Sequence, residues 1–268
     1  KHTMMRSVYL KTLYDKRFFL LGWTLGFMAI SALMASFYPA MHQEGSISSL
    51  LEGMPAAFKG LGGSLADLTR FDTYIASQLF DIRMPIIAGI MSIILGIGIS
   101  VADEEKGELR TILSLPVSRT KLLIERWLAM LTIMVVIGFG MVAGIYAVLP
   151  FIDIASIEPD ISARLSAMTL LIMVTFGTIP FAIGLATGKR SVATGISILI
   201  VIGSFLLSTF SQAVDWLQDY EPLSLLHYFP AADIVKNGID LKDVAVFGAV
   251  TIVLLALSIV SFRSRDVA

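Results

Sequence analysis

VADEEKGELRTILSLPVSRTK, running from Val101 to Lys121, is a densely charged stretch between two strongly apolar runs. Asp103, Glu104, Glu105, Lys106, Glu108, Arg110, Arg119 and Lys121 fall within it, and Glu125 and Arg126 follow at once. In the middle of a bilayer each such group costs at least ~2.5–3.5 kcal/mol, so the stretch must stand in water. Asp103 to Ser114 has the pattern of a short amphipathic helix. Asp103, Glu104 and Glu105 in its first turn suit the positive end of a helix dipole, while Leu109, Ile112 and Leu113 recur on one side. Pro116 ends it, because the residue before a proline is pushed out of the helical region and the proline brings no N–H. Ser118 or Thr120 can then cap the next helix. A helix with one apolar side and fixed charges can dock onto a soluble body.

The flanking runs set the class. Of 268 residues, 56% are hydrophobic and 15% charged, whereas a soluble domain is usually ~45–50% apolar. Phe18 to Tyr38 has no charge over 21 residues, and at ~1.5 Å per residue it can cross a hydrocarbon core of ~30 Å. It is too long for the apolar part of a signal peptide and is read as retained. Because the sequence starts at Lys1 rather than Met, a few residues are expected ahead of it. Further spans are expected at Pro85–Val101, Trp127–Leu149, Leu165–Ala186, Val192–Phe210 and Val244–Phe262. The fold class is therefore an all-α polytopic membrane protein with six transmembrane helices in one domain, the lipid bilayer being its first partner.

Three other segments complete the plan. Residues 1–17 hold Met5, Val8, Tyr9 and Leu13 among Arg6, Lys11 and Lys16, the pattern of an amphipathic helix lying on the membrane surface. Between the first two spans, Ile47, Leu50, Leu51, Met54, Phe58 and Leu61 suggest an interfacial helix ended by Gly60, Gly62 and Gly63. Asp215 to Lys242, with Pro222 and Pro230, is apolar over too short a length to cross and is expected to be partly re-entrant.

The residues of the charged stretch resemble those of permeases of type-2 ATP-binding-cassette exporters. In that family the loop between the second and third spans carries a Glu, then Gly-Thr-Leu, then Leu-Leu, then Pro-Val-Ser-Arg. Glu105, Gly107, Leu109, Leu113, Pro116, Val117, Ser118 and Arg119 match it in order, while Glu108 replaces a Thr and Arg126 a common Lys. The resemblance implies that residues 102–121 form the coupling helix, which fits against a separate nucleotide-binding ATPase subunit. Glu104, Glu105, Gly107, Glu108, Leu109, Leu113, Pro116 and Arg119 are its candidate coupling residues. It also implies a homodimer or heterodimer of permease halves, with ATP and Mg held by the ATPase and no cofactor in this chain.

Charge distribution gives the orientation without the resemblance. Six spans put both termini on one side. If that side is cytoplasmic, the inner segments hold 14 of the 20 Lys and Arg residues and the outer ones six, namely Lys59, Arg70, Arg83, Arg164, Lys236 and Lys242. The positive-inside rule thus places both termini and the charged stretch in the cytoplasm of a cell whose cytoplasmic membrane the chain spans.

Composition also excludes. None of the six apolar cores contains Asp, Glu, Lys, Arg or His, which argues against an ion-driven carrier and against an intramembrane hydrolase. A net charge of −1 gives no footprint for nucleic acid, and the absence of cysteine removes thiolate metal sites. His2, His42 and His227 lie too far apart in sequence to suggest a metal site. GLATGKRS, Gly184 to Ser191, imitates a phosphate loop but is one residue short, is interrupted by Arg190 and ends an apolar span. Energy must therefore come from another chain.

Small and hydroxylated residues mark two spans: Ser92, Gly96 and Ser100 on the second, and Ser197, Ser204 and Ser208 on the fifth. Close packing is the preferred reading; the resemblance raises the other, a weakly polar wall of a transport path. Gly22 with Gly26, Gly140 with Gly144, and Gly184 with Gly188 are expected to bring helices close. The function expected is the permease half of an ATP-driven exporter moving an amphipathic drug, antibiotic, peptide or lipid-like substrate outward. The alternative is a membrane binding or immunity protein that sequesters a toxic peptide or lipid without pumping.

Overall fold

A computed structural model describes residues 7–41, 70–81, 83–101, 104, 107, 118–152, 158–211 and 214–264. Among them there is helix and no strand. In chain order the elements are α1 (Val8–Asp15), α2 (Arg17–Met41), α3 (Phe71–Ile75) continuing as π-helical turns over Ala76–Asp81, and α4 (Arg83–Ser100). Then come α5 (Arg119–Val148), α6 (Pro159–Thr187), α7 (Arg190–Phe210), α8 (Asp215–Gln218), α9 (Ala231–Asn237) and α10 (Leu241–Ser264). Six helical stretches are long and apolar enough to cross a membrane: α2, α3 through α4, α5, α6, α7 and α10. The interfacial helix expected around Ile47–Leu61 lies outside the described residues, as do Glu105, Glu108, Leu109, Leu113 and Pro116.

The helices overrun the apolar runs expected from sequence. α5 starts at Arg119 rather than Trp127, and α6 at Pro159 rather than Leu165. Apolarity marks only the part in hydrocarbon, whereas the hydrogen-bonded ladder runs on into water. At 30 residues α5 is about 45 Å long, so one or both ends project beyond a ~30 Å core. Ser118 begins it as foreseen: its hydroxyl accepts the Lys121 amide at 3.2 Å.

A larger correction concerns Phe71–Asp81, which the sequence leaves inside a polar interval. It is helical, and Phe71, Tyr74, Ile75, Leu79 and Phe80 are buried against the rest of the chain. The buried carboxylate of Asp72 is 3.5 Å from the Arg70 guanidinium. Asp215–Asn237 folds back as short helical turns, with Phe229 and Ile234 buried and the Ser224 hydroxyl donating to the Ser204 carbonyl at 2.7 Å. No membrane plane is needed to see that this segment is too broken to cross one.

α6 is the axis of the bundle, touching α4, α5, α7 and α10. Lipid offers as apolar a surrounding as leucine does, so helix contacts here depend on close approach and hydrogen bonds. The Trp127 indole on α5 donates to Thr178 of α6 at 3.0 Å, and Thr175 bonds Thr251 of α10 at 3.1 Å. Gly96 of α4 lies against the Gly177 carbonyl, with Pro180 Cγ only 2.8 Å from where a Cβ would stand. Gly140 and Gly144 of α5 lie against Thr24 and Met28 of α2. Gly22 and Gly26 meet nothing within 4 Å among the described residues, so no packing of that expected pair is seen there. Gly184 does pack, against Ser100 and Val101, whereas Gly188 has φ +65° and ends α6 in the left-handed region.

Candidate functional site

The charged stretch leaves α4 and returns at α5, and three other helix ends meet there. Val101 and Glu104 continue the last turn of α4: the Glu104 amide donates to the Val101 carbonyl at 3.0 Å. The Gly107 amide in turn donates to the Glu104 carbonyl at 3.0 Å, and Gly107 has φ +71°, a turn that side chains resist. Of the expected coupling residues, then, Glu104 and Gly107 shape the exit from α4, and Arg119 is the first residue of α5.

Around Arg119 the structure builds a junction. Its Nη1 donates to the carbonyls of Phe262 at 3.0 Å and Arg263 at 3.4 Å, in the last turn of α10. Arg263 answers with Nε donating to the Thr120 hydroxyl at 2.9 Å. Carbonyls in a final turn have no partner inside their helix and sit at its negative end, so a guanidinium there is favoured twice.

Two turns along α5, Glu125 does the converse for α1. Its Oε2 accepts both the Tyr9 backbone amide and the Ser7 hydroxyl at 3.1 Å. Ser7 stands at the N-cap yet makes no cap of its own, so a carboxylate from another helix completes the start of α1. The Glu125 side chain is only 18% exposed, with Lys121 Nζ 3.8 Å from its other oxygen. The Tyr9 hydroxyl bonds Thr132 at 3.0 Å, further pinning α1 to α5. Lys16, at the joint of α1 and α2, fills the space left by Gly98 of α4, with its Nζ 2.6 Å from where a Cβ would be.

Sequence reasoning missed Glu125, Thr120, Ser7 and Tyr9 as members of one site. The available signal was Glu125 itself, a carboxylate one turn from the start of an apolar span, but nothing in the sequence says that α1 returns to it. Elsewhere, Ser92 and Ser100 are buried on α4, as are Ser197 and Ser204 on α7, with Ser208 half-buried. Gly96 and Ser100 face α6, through Gly177 and Gly184. The hydroxyls of Ser92 and Ser197 are buried and find no hydrogen-bond partner among the described residues.

The family model described as ABC-2 family transporter protein matches residues 9–267. The chain belongs to that family. The match runs from Tyr9 in α1 past the end of α10 and includes the junction just described except Ser7. As an ABC-2 family member the chain is a permease component, not the ATPase, and its family works with an ABC ATPase subunit. Among curated proteins none matches it. The phosphate-loop imitation, Gly184–Ser191, is the end of α6, the left-handed Gly188 and the start of α7, which is no cradle for phosphates.

Proposed function

We propose that this ABC-2 permease is half of an exporter in the cytoplasmic membrane, driven outward by ATP hydrolysis in a separate subunit docked on residues 102–121. The observation that carries this is the placement of that stretch. It leaves α4 and enters α5 at the end of the bundle where α1 and the last turn of α10 also lie, and the excess of Lys and Arg supports a cytoplasmic place for that end. Leu109 and Leu113 supply apolar contact, Glu104, Glu105 and Glu108 pair with basic groups on the ATPase, and Pro116 ends the stretch, while the left-handed Gly107 interrupts the helix expected from Asp103 to Ser114. Two such permeases, alike or homologous, assemble with two ATPase subunits that bind ATP and Mg.

Transport requires a path, and the unpartnered hydroxyls of Ser92 and Ser197 support one. A buried hydroxyl without a partner costs about 1–3 kcal/mol, which water would relieve in a state that opens α4 and α7. Gly96 and Ser100 with Ser204 and Ser208 extend the same two stripes, and an amphipathic substrate suits walls of apolar residues broken by hydroxyls.

The test is charge reversal with Glu105→Lys and Glu108→Lys together. The native complex should lose its ATPase on purification, and ATP hydrolysis stimulated by the permease should fall with it. Retention of both would refute the docking surface.

A further inference from the structure

Amides that open a helix and carbonyls that close one have no partners within it. At this junction both sets find them on a single helix. Glu125 supplies the acceptor for the start of α1, and Arg119 the donor for the end of α10.

We propose that Glu125 and Arg119 are positioning residues that lash the first and last helices to the root of α5, so that a push on residues 102–118 moves α1, α5 and α10 as one body. The source of that push rests on the exporter reading above; the ties rest on the hydrogen bonds alone.

Each tie matches charge to a helix pole. A carboxylate meets the positive start of α1 and a guanidinium meets the negative end of α10, and charge-assisted bonds of this kind are roughly twice as strong as neutral ones. Six residues separate Arg119 from Glu125, about 240° around a helix, so the two arms reach out on different sides of α5. Each arm is also doubled. Arg263 returns a bond to Thr120 at 2.9 Å, and the Tyr9 hydroxyl meets Thr132 at 3.0 Å. Because α1 runs into α2 through Lys16, the first tie reaches the first span, and the second reaches the sixth. A coupling segment joined only to its own flanking helices would move α4 and α5; this one also carries the first and last spans.

The chain has no cysteine, which makes it directly suited to spin labelling. Labels at Leu10→Cys on α1 and Ser264→Cys on α10, both exposed positions, report the two ties in the full permease in nanodiscs. Glu125→Ala should mobilise the α1 label and leave the α10 label slow; Arg119→Ala should do the reverse. Glu125→Gln, which keeps an acceptor, and Arg119→Lys, which keeps a donor, should hold their labels near the native state and show that the fold survives. In the complex with its co-purifying ATPase, Glu125→Ala, which lies outside the proposed docking stretch, should retain that subunit. The ratio of shifted to unshifted label separations on adding a non-hydrolysable ATP analogue should nonetheless fall about fivefold, within the range seen for residues that carry coupling. Labels that stay slow in both alanine variants would overturn the proposal. So would loss of the ATPase from Glu125→Ala, which would make Glu125 a docking group, or an undiminished shift in that variant. Glu105→Lys with Glu108→Lys tests docking separately, so failure of one reading is distinguishable from failure of the other.

Discussion

At the root of α5, Arg119 and Glu125 hold neighbouring helices by reaching out with charge; farther along the same helix, Gly140 and Gly144 hold α2 by having no side chain. The difference follows from the surroundings. Where water is near, a charged group can be brought to a helix pole at modest desolvation cost, and a few strong bonds fix the contact. Inside lipid, apolar side chains gain nothing by leaving their solvent, so contact depends on how closely two backbones approach. The first kind of joint fails when a charge is removed and the second when volume is added.

Adding volume should give the largest effect. A Cβ at Gly144 would fall against the Met28 carbonyl, with the Met28 Cα and carbonyl carbon each 2.9 Å away. Backbone atoms inside a helix cannot swing aside as a side-chain tip can. Gly144→Val should therefore cost at least the ~1–3 kcal/mol typical of overpacking, seen as a lower thermal midpoint or loss of monodisperse protein in detergent. A midpoint equal to that of the native chain would break the comparison, since the interior joint would then not depend on close approach.

An intermediate effect is expected at the root. Ser118 accepts the Lys121 amide and opens α5 immediately beside Arg119. Ser118→Ala should cost about 1 kcal/mol, confined to the first turn. Hydrogen exchange at Lys121 and Leu122 should speed up while amides near Gly140 keep their protection. Equal speeding at both places would show that α5 responds as one rigid rod, and the division between root and interior would disappear.

What the sequence revealed follows the same division. Spans were legible because the cost of charge in hydrocarbon leaves long uncharged runs, as at Phe18–Tyr38. Ser118 was legible because a cap is a local device. Phe71–Asp81 was not, because Asp72, Ser77, Gln78 and Asp81 interrupt its apolar residues, and its burial comes from helices distant in sequence. Glu125 was hidden for a similar reason: its partners, Ser7 and Tyr9, lie more than a hundred positions away. The family motif around Glu105–Arg119 marked the stretch proposed to meet an ATPase but not what braces that place from behind.

Gly22 and Gly26 are the sharpest case, since in sequence they are indistinguishable from Gly140 and Gly144. Both pairs are separated by four positions on an apolar span, yet among the described residues only the second faces another helix. Gly22→Ala therefore adds a methyl group to open space and removes the backbone freedom that makes glycine poor in a helix, a difference of about 1 kcal/mol. The thermal midpoint of the permease alone should stay level or rise slightly, opposite in sign to Gly144→Val. A clear fall would mean that this face of α2 is packed after all, either against a second permease half or against a segment of the chain that the described residues omit. Comparing the isolated permease with the assembled complex separates those two cases, because only the first makes the loss depend on assembly.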